Sequence, residues 1–179
     1  MPTVRRRCVL AVLLLAFGVF PSASAAALEP ATLRLVPAEG TYQLGDTVTV
    51  ELWLHDGVAL YGVDIRVHFD PDMAQGVGTL TPDTSLFAPD MVLYATTDND
   101  IGEFRYAATK INPGLPVSGT GRLFTVELQL LRPGSVTVSV LPTSQLSTRD
   151  AELIPYVVAN ALYMVEGVDV FLPLVTVEY

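Results

Sequence analysis

His55 and His68 are the two side chains of this chain best suited to general-base chemistry. A histidine base needs a nucleophile within hydrogen-bond reach. The single cysteine, Cys8, lies far away in the N-terminal leader, just ahead of its apolar run, and no serine sits in a Gly-x-Ser-x-Gly elbow. Both histidines therefore read as solvated or partner-facing residues. No His/Cys spacing suits a metal and no glycine-rich loop suits a phosphate. Asp98-Asn99-Asp100-Ile101-Gly102-Glu103 alternates oxygen donors as the start of a calcium loop does. An EF-hand loop wants glycine sixth and glutamate twelfth, and here Gly102 is fifth, so a hairpin turn between two strands is expected instead. Acids are numerous enough to offer a glycosidase pair, but a chain this short has no insertions to build a deep cleft around one. Trp53 is the only tryptophan. Its flanking leucines, Leu52 and Leu54, alternate toward a core, so the indole points outward, either as a binding surface or under the Tyr156–Val165 region or the tail.

The elements that must hold these residues are strands. From Ala31 onward the apolar period is two. Val48, Val50, Leu52 and Leu54 alternate with Thr49, Glu51, Trp53 and His55. Val63, Ile65, Val67 and Phe69 alternate with Asp64, Arg66 and His68. Phe104 and Tyr106 flank Arg105; Phe124, Val126, Leu128 and Leu130 enclose Thr125, Glu127 and Gln129; and Val136, Val138 and Val140 enclose Thr137 and Ser139. Each run offers one apolar face, as in a half-buried antiparallel sheet. The expected core is Val50, Leu52, Val63, Ile65, Val67, Phe69, Phe104, Phe124, Val126, Leu128 and Val138. Turn chemistry separates the runs at Glu39-Gly40, Leu44-Gly45-Asp46, Asp56-Gly57, Asp70-Pro71-Asp72, Asp98-Asn99-Asp100, Asn112-Pro113-Gly114 and Arg132-Pro133-Gly134. Short strands with regular turns predict an all-β sandwich or barrel.

Length allows one ordinary domain plus a leader. Residues 1–25 have the form of a signal peptide. Arg5-Arg6-Arg7 is a basic start, Val9–Val19 an apolar run of 11 residues, and Ala23-Ser24-Ala25 a small-x-small cleavage site. The run is too short for a spanning helix, so no membrane span is expected in the mature chain. Residues 26–30 are a lead-in, 31–166 the domain, and 167–179 an apolar tail of unassigned role. The whole chain carries a formal charge of −9; without the three leader arginines, 7 basic face 19 acidic side chains, a net of −12. That excess repels nucleic acid and anionic membranes and suits neutral polymers or a basic partner surface. Without the leader no cysteine remains, so stability must come from packing and not from disulfides.

Three ordered motifs carry a family resemblance: Gly45-Asp46-Thr47-Val48-Thr49-Val50, then Gly62 through Phe69-Asp70-Pro71, then Gly121-Arg122-Leu123-Phe124. Over about residues 31–166 the chain resembles cohesin domains, the modules that bind dockerins. The resemblance implies a nine-stranded antiparallel jelly-roll sandwich, a secreted, non-catalytic role, no cofactor, and a dockerin partner that itself needs calcium to fold. It implies docking on one sheet face built from the third, fifth, sixth and eighth strands. On the alternation above, the outward residues there are Gly62, Asp64, Arg66 and His68, then Arg105, Ala107 and Thr109, then Thr125, Glu127 and Gln129. Asp64 matches a family aspartate that hydrogen-bonds the dockerin. The family's neighbouring asparagine is replaced by Gly62, so the usual specificity does not carry over. The fifth strand, near Met91–Thr97, leaves either Leu93 or Tyr94 outward. Two other functions fit the same sandwich: carbohydrate binding, for which the outward aromatics Trp53, Tyr61 and Tyr94 are few, and a structural envelope role.

Overall fold

The period-two rows become the facing layers of a β-sandwich. The computed structural model describes residues 30–167; the leader, the lead-in up to residue 29 and the tail from residue 168 lie outside them. In chain order the strands are β1 (Ala31–Val36), β2 (Glu39–Gln43), β3 (Thr47–Leu60), β4 (Gly62–Phe69), β5 (Ala74–Pro82), β6 (Met91–Asp98), β7 (Glu103–Thr109), β8 (Val117–Leu130), β9 (Gly134–Val140), β10 (Gln145–Ser147), β11 (Tyr156–Ala159) and β12 (Ala161–Glu166). A five-stranded sheet runs β11-β1-β3-β8-β5, and a seven-stranded sheet runs β2-β12-β9-β4-β7-β6, with β10 beside β4.

Every residue expected in the core is buried. The inward rows of β3 and β8 face those of β4, β7 and β9, as two packed sheets require. Within the seven-stranded sheet Phe69 of β4 meets Phe104 of β7 at a centroid distance of 4.9 Å, and across the sandwich Tyr106 of that sheet meets Phe124 of the other edge-on at 5.6 Å. Such pairs add to the burial of their area.

Three expectations need correction. The strand count exceeds nine, because short edge strands such as β2, β10 and β11 carry too little alternation to register. The sheets are mixed and not purely antiparallel: β11 runs parallel to β1, and β12 parallel to β2. Two of the expected turns lie in strands. Glu39-Gly40 opens β2. Asp56-Gly57 lies inside β3, where the register against β8 shifts, and Asp56 and Ala59 take left-handed φ values of 55° and 52°. A bulge uses the same turn-forming residues as a hairpin without reversing the chain.

The Asp98–Gly102 segment is a hairpin turn between β6 and β7. Asp98 Oδ1 accepts from the Asp100 amide at 3.0 Å, and Asn99 exchanges two hydrogen bonds with the Gly76 backbone. Gly102 has φ +65°, and an added Cβ would lie 2.0 Å from the Phe69 carbonyl oxygen. Backbone shape, not ligation, explains this glycine.

Candidate functional site

The outer face of the seven-stranded sheet is assembled around β4. Its C-terminal half, Val67–Phe69, pairs with β9, and its N-terminal half, Gly62–Asp64, pairs with β10. The change of partner is held by Ser144, which is buried. Its hydroxyl accepts from the Arg66 amide at 2.9 Å and donates to the Arg66 carbonyl at 3.2 Å, while the Leu141 amide donates to that carbonyl at 2.8 Å. The other edge of β4 pairs with β7 along its whole length, setting Gly62 opposite Thr109, Asp64 opposite Ala107, Arg66 opposite Arg105 and His68 opposite Glu103. Partners across a strand pair share a face, so these eight residues form one outward plate.

Charge on the plate is organised in pairs. Arg105 grips Asp64 with both ends of its guanidinium, Nε to Oδ1 at 3.1 Å and Nη2 to Oδ2 at 2.8 Å. Its Cζ also lies 4.0 Å from the centroid of the Tyr94 ring, a cation–π distance. The hydrogen bonds to Asp64 raise the Arg105 pKa above its ordinary value. Arg66 pairs with Glu103 at 3.6 Å.

Beyond β7 lies the edge strand β6. Its pairing with β7 slips between Val92 and Tyr94. That bulge answers the choice between Leu93 and Tyr94: both are outward, at 56% and 46% exposure, and Met91 and Val92 are exposed beside them. An apolar ledge thus borders the charged pairs. Between the ledge and β10 is a depression of about 220 Å³ bordered by Gly62, Asp64, Leu93, Tyr94, Ala107 and Ser147.

The expected site residues divide. Asp64, Arg66, His68, Arg105 and Thr109 come together on this face. Gly62 and Ala107 are also on it, but both are buried, Ala107 to 3% exposure, under the taller side chains around them. Thr125, Glu127 and Gln129 do not join them. Strand β8 belongs to the five-stranded sheet, so these residues face away on the opposite side. Alternation tells which side of a strand is apolar but not which sheet the strand joins. Glu103, Gln145 and Ser147 were missed. The first follows from hairpin register; β10 is too short to alternate.

The opposite face carries a different constellation. The Trp53 indole N–H donates to Glu51 Oε2 at 2.8 Å, and its ring lies 6.3 Å from that of His55 at 28°. Arg122 binds Glu51 and also reaches Asp83 Oδ2, at 2.9 and 2.7 Å. The Trp53 N–H, followed by Arg122, lowers the Glu51 pKa. Asp83 is held at about 2, first by hydrogen bonds from Ser85 and then by Arg122. Trp53 and Glu127 share this face, because β3 pairs with β8.

No family model matches the sequence, and no curated protein matches it. Solved structures do. The chain is similar to the cohesin CaCohA2 from Clostridium acetobutylicum, with 18% identity over 77% of this chain and 92% of that one and a TM-score of 0.61. It is similar to a non-cellulosomal cohesin from the archaeon Archaeoglobus fulgidus, with 12% identity, the same two coverages and a TM-score of 0.61. It is also similar to the third cohesin of ScaC, solved with the ScaB dockerin, from Acetivibrio cellulolyticus, with 14% identity over 75% of this chain and 98% of that one and a TM-score of 0.61. The fold is a two-sheet β-sandwich. More narrowly, it is the cohesin fold.

Proposed function

We propose that residues 31–166 form a non-catalytic binding domain that receives the helix pair of a dockerin on the outer face of β10, β4, β7 and β6. The observation that carries this reading is the Asp64–Arg105–Tyr94 arrangement beside the exposed Met91–Tyr94 ledge. An amphipathic helix laid on a sheet needs an apolar strip for burial and fixed polar groups for register. The plate supplies both, with its charges held in place before a partner arrives. Similar folds that were solved with dockerins support the same reading. With residues 1–25 acting as an export signal, the domain would work outside the cell in a polysaccharide-degrading or surface assembly. Among the described residues no helix is long and apolar enough to cross a membrane.

A second reading has its own observation. Trp53 on the opposite sheet, fixed by Glu51 and beside His55, could stack on a sugar. Pull-down against dockerin modules, run beside retention on cellulose and xylan, separates the two. Loss of dockerin capture in Arg105→Ala with Trp53→Ala unaffected supports the docking face. Retention on polysaccharide that Trp53→Ala abolishes, with no dockerin captured, supports the sugar platform.

A further inference from the structure

The depression over Gly62 and Ala107 has a shape that alternation alone would not produce. Both residues lie on the outward side of their strands, yet both are buried. Gly62 has no side chain and Ala107 only a methyl group, while the residues around them rise higher. Leu93 and Tyr94 stand on the β6 side, Gln145 and Ser147 on the β10 side, and Asp64 with Arg105 closes one end. Gly62 has little room even for a methyl, since a Cβ there would lie 2.8 Å from Ser147 Oγ. The resulting hollow, about 220 Å³, far exceeds the roughly 10–15 Å³ that one water requires.

Resting on the docking reading, we propose that this hollow is a socket for one aliphatic side chain projecting from the partner's helix, and that it sets which dockerin is accepted. The chemistry favours a neutral side chain that lays its apolar surface against Leu93, Tyr94 and Ala107, while Thr109, Gln145 and Ser147 make the rest of the lining polar. The charges at the rim are satisfied by each other, Asp64 by Arg105 through two hydrogen bonds. An entering carboxylate would meet Asp64 and an entering ammonium would meet Arg105, each with its own desolvation cost. The floor is a backbone and a methyl group, and one wall is Leu93. Tyr94 is steadied by the guanidinium at 4.0 Å, so the wall does not need ordering on binding. Asp64 then acts as a positioning residue. Both its oxygens face Arg105, and it holds the socket wall through Arg105 and Tyr94.

The test uses the full chain and a displayed library of dockerin helix pairs randomised at their outward helix positions. Selected binders are titrated against wild type, Ala107→Leu, Ala107→Ser, Leu93→Ser and Arg105→Ala. Binders should converge on Val, Ile, Leu or Met at one central helix position. Filling the socket with Ala107→Leu should lower affinity about ten- to hundredfold, the equivalent of losing one buried aliphatic side chain, while Ala107→Ser stays near wild type. Should Ala107→Leu fail to fold, Leu93→Ser decides: a several-fold loss supports the socket, and unchanged affinity overturns it. If Ala107→Leu folds and binds as wild type while Arg105→Ala loses binding, the face stands and the socket is wrong. If no helix pair is selected, or those selected bind Arg105→Ala and Leu93→Ser as they bind wild type, the docking reading falls and the socket with it.

Discussion

Asp64 and Arg105 sit diagonally on neighbouring antiparallel strands, two residues off direct register, and meet in a two-point hydrogen-bonded pair at 3.1 and 2.8 Å. Arg105 is the hub. The same guanidinium covers the Tyr94 ring at 4.0 Å, so β4, β7 and β6 are tied together across the plate by three side chains.

The pair should matter more for binding than for stability. Its side chains are 36% and 26% exposed, and solvent-exposed ion pairs are worth about 0–1 kcal/mol. Asp64→Ala should therefore change unfolding free energy by less than about 1 kcal/mol and weaken dockerin binding by about 1–3 kcal/mol. Arg105→Ala should weaken it similarly, and the double variant no more than either single one. Additive losses in calorimetric titration would show that the two side chains act independently.

Core packing predicts a much larger effect on stability. Phe69 and Phe124 are fully buried and each meets another aromatic ring. Phe124→Ala and Phe69→Ala should each cost about 3–5 kcal/mol in chemical denaturation. A loss below about 1 kcal/mol would place these side chains outside the core and the register in error.

These core positions were legible because a half-buried strand writes its burial directly into a period of two. Sheet membership was not. Thr125 and Glu127 alternate as cleanly as Asp64 and Arg66, yet β8 lies in the other sheet, a fact set by long-range pairing of β8 with β3 and β5. Strand β5 escaped notice because Gly76 and Gly78 interrupt it and its burial does not alternate. The parallel pairing of β11 with β1 joins segments from opposite ends of the domain, and nothing local encodes it. The Leu93/Tyr94 ambiguity had a physical cause, since a bulge makes both outward.

Gly102 should resist substitution. Its φ of +65° and the 2.0 Å approach of the Phe69 carbonyl oxygen to any Cβ act together. Gly102→Ala should cost about 1–3 kcal/mol or more, read as a lower denaturation midpoint with an unchanged slope. Unchanged stability would mean that the β6–β7 turn adapts freely.

Alkaline pH should unfold the domain through its buried tyrosines. Burial pushes the Tyr106 phenol up to about 12 and raises Tyr163 as well. A group whose pKa is raised by folding gives up its stabilising contribution as pH climbs from the unfolded value toward the folded one. Stability should hold below about pH 10 and fall as pH approaches 12. Among the described residues the buried Tyr106 hydroxyl has no hydrogen-bond partner. Tyr106→Phe should therefore be neutral or stabilising at pH 7 and should flatten the alkaline loss. A strongly destabilised Tyr106→Phe would contradict that environment.

The most direct measurement is a titration of the domain with a dockerin, comparing variants on its two outer faces. Arg105→Ala and Leu93→Ser on β7 and β6 should each weaken binding at least several-fold. Trp53→Ala and Glu127→Ala on the five-stranded sheet should leave it unchanged, and chelation of calcium should release the partner by unfolding the dockerin. Binding that survives Arg105→Ala and Leu93→Ser but is lost in Trp53→Ala or Glu127→Ala would put the interface on the opposite sheet and contradict the assignment.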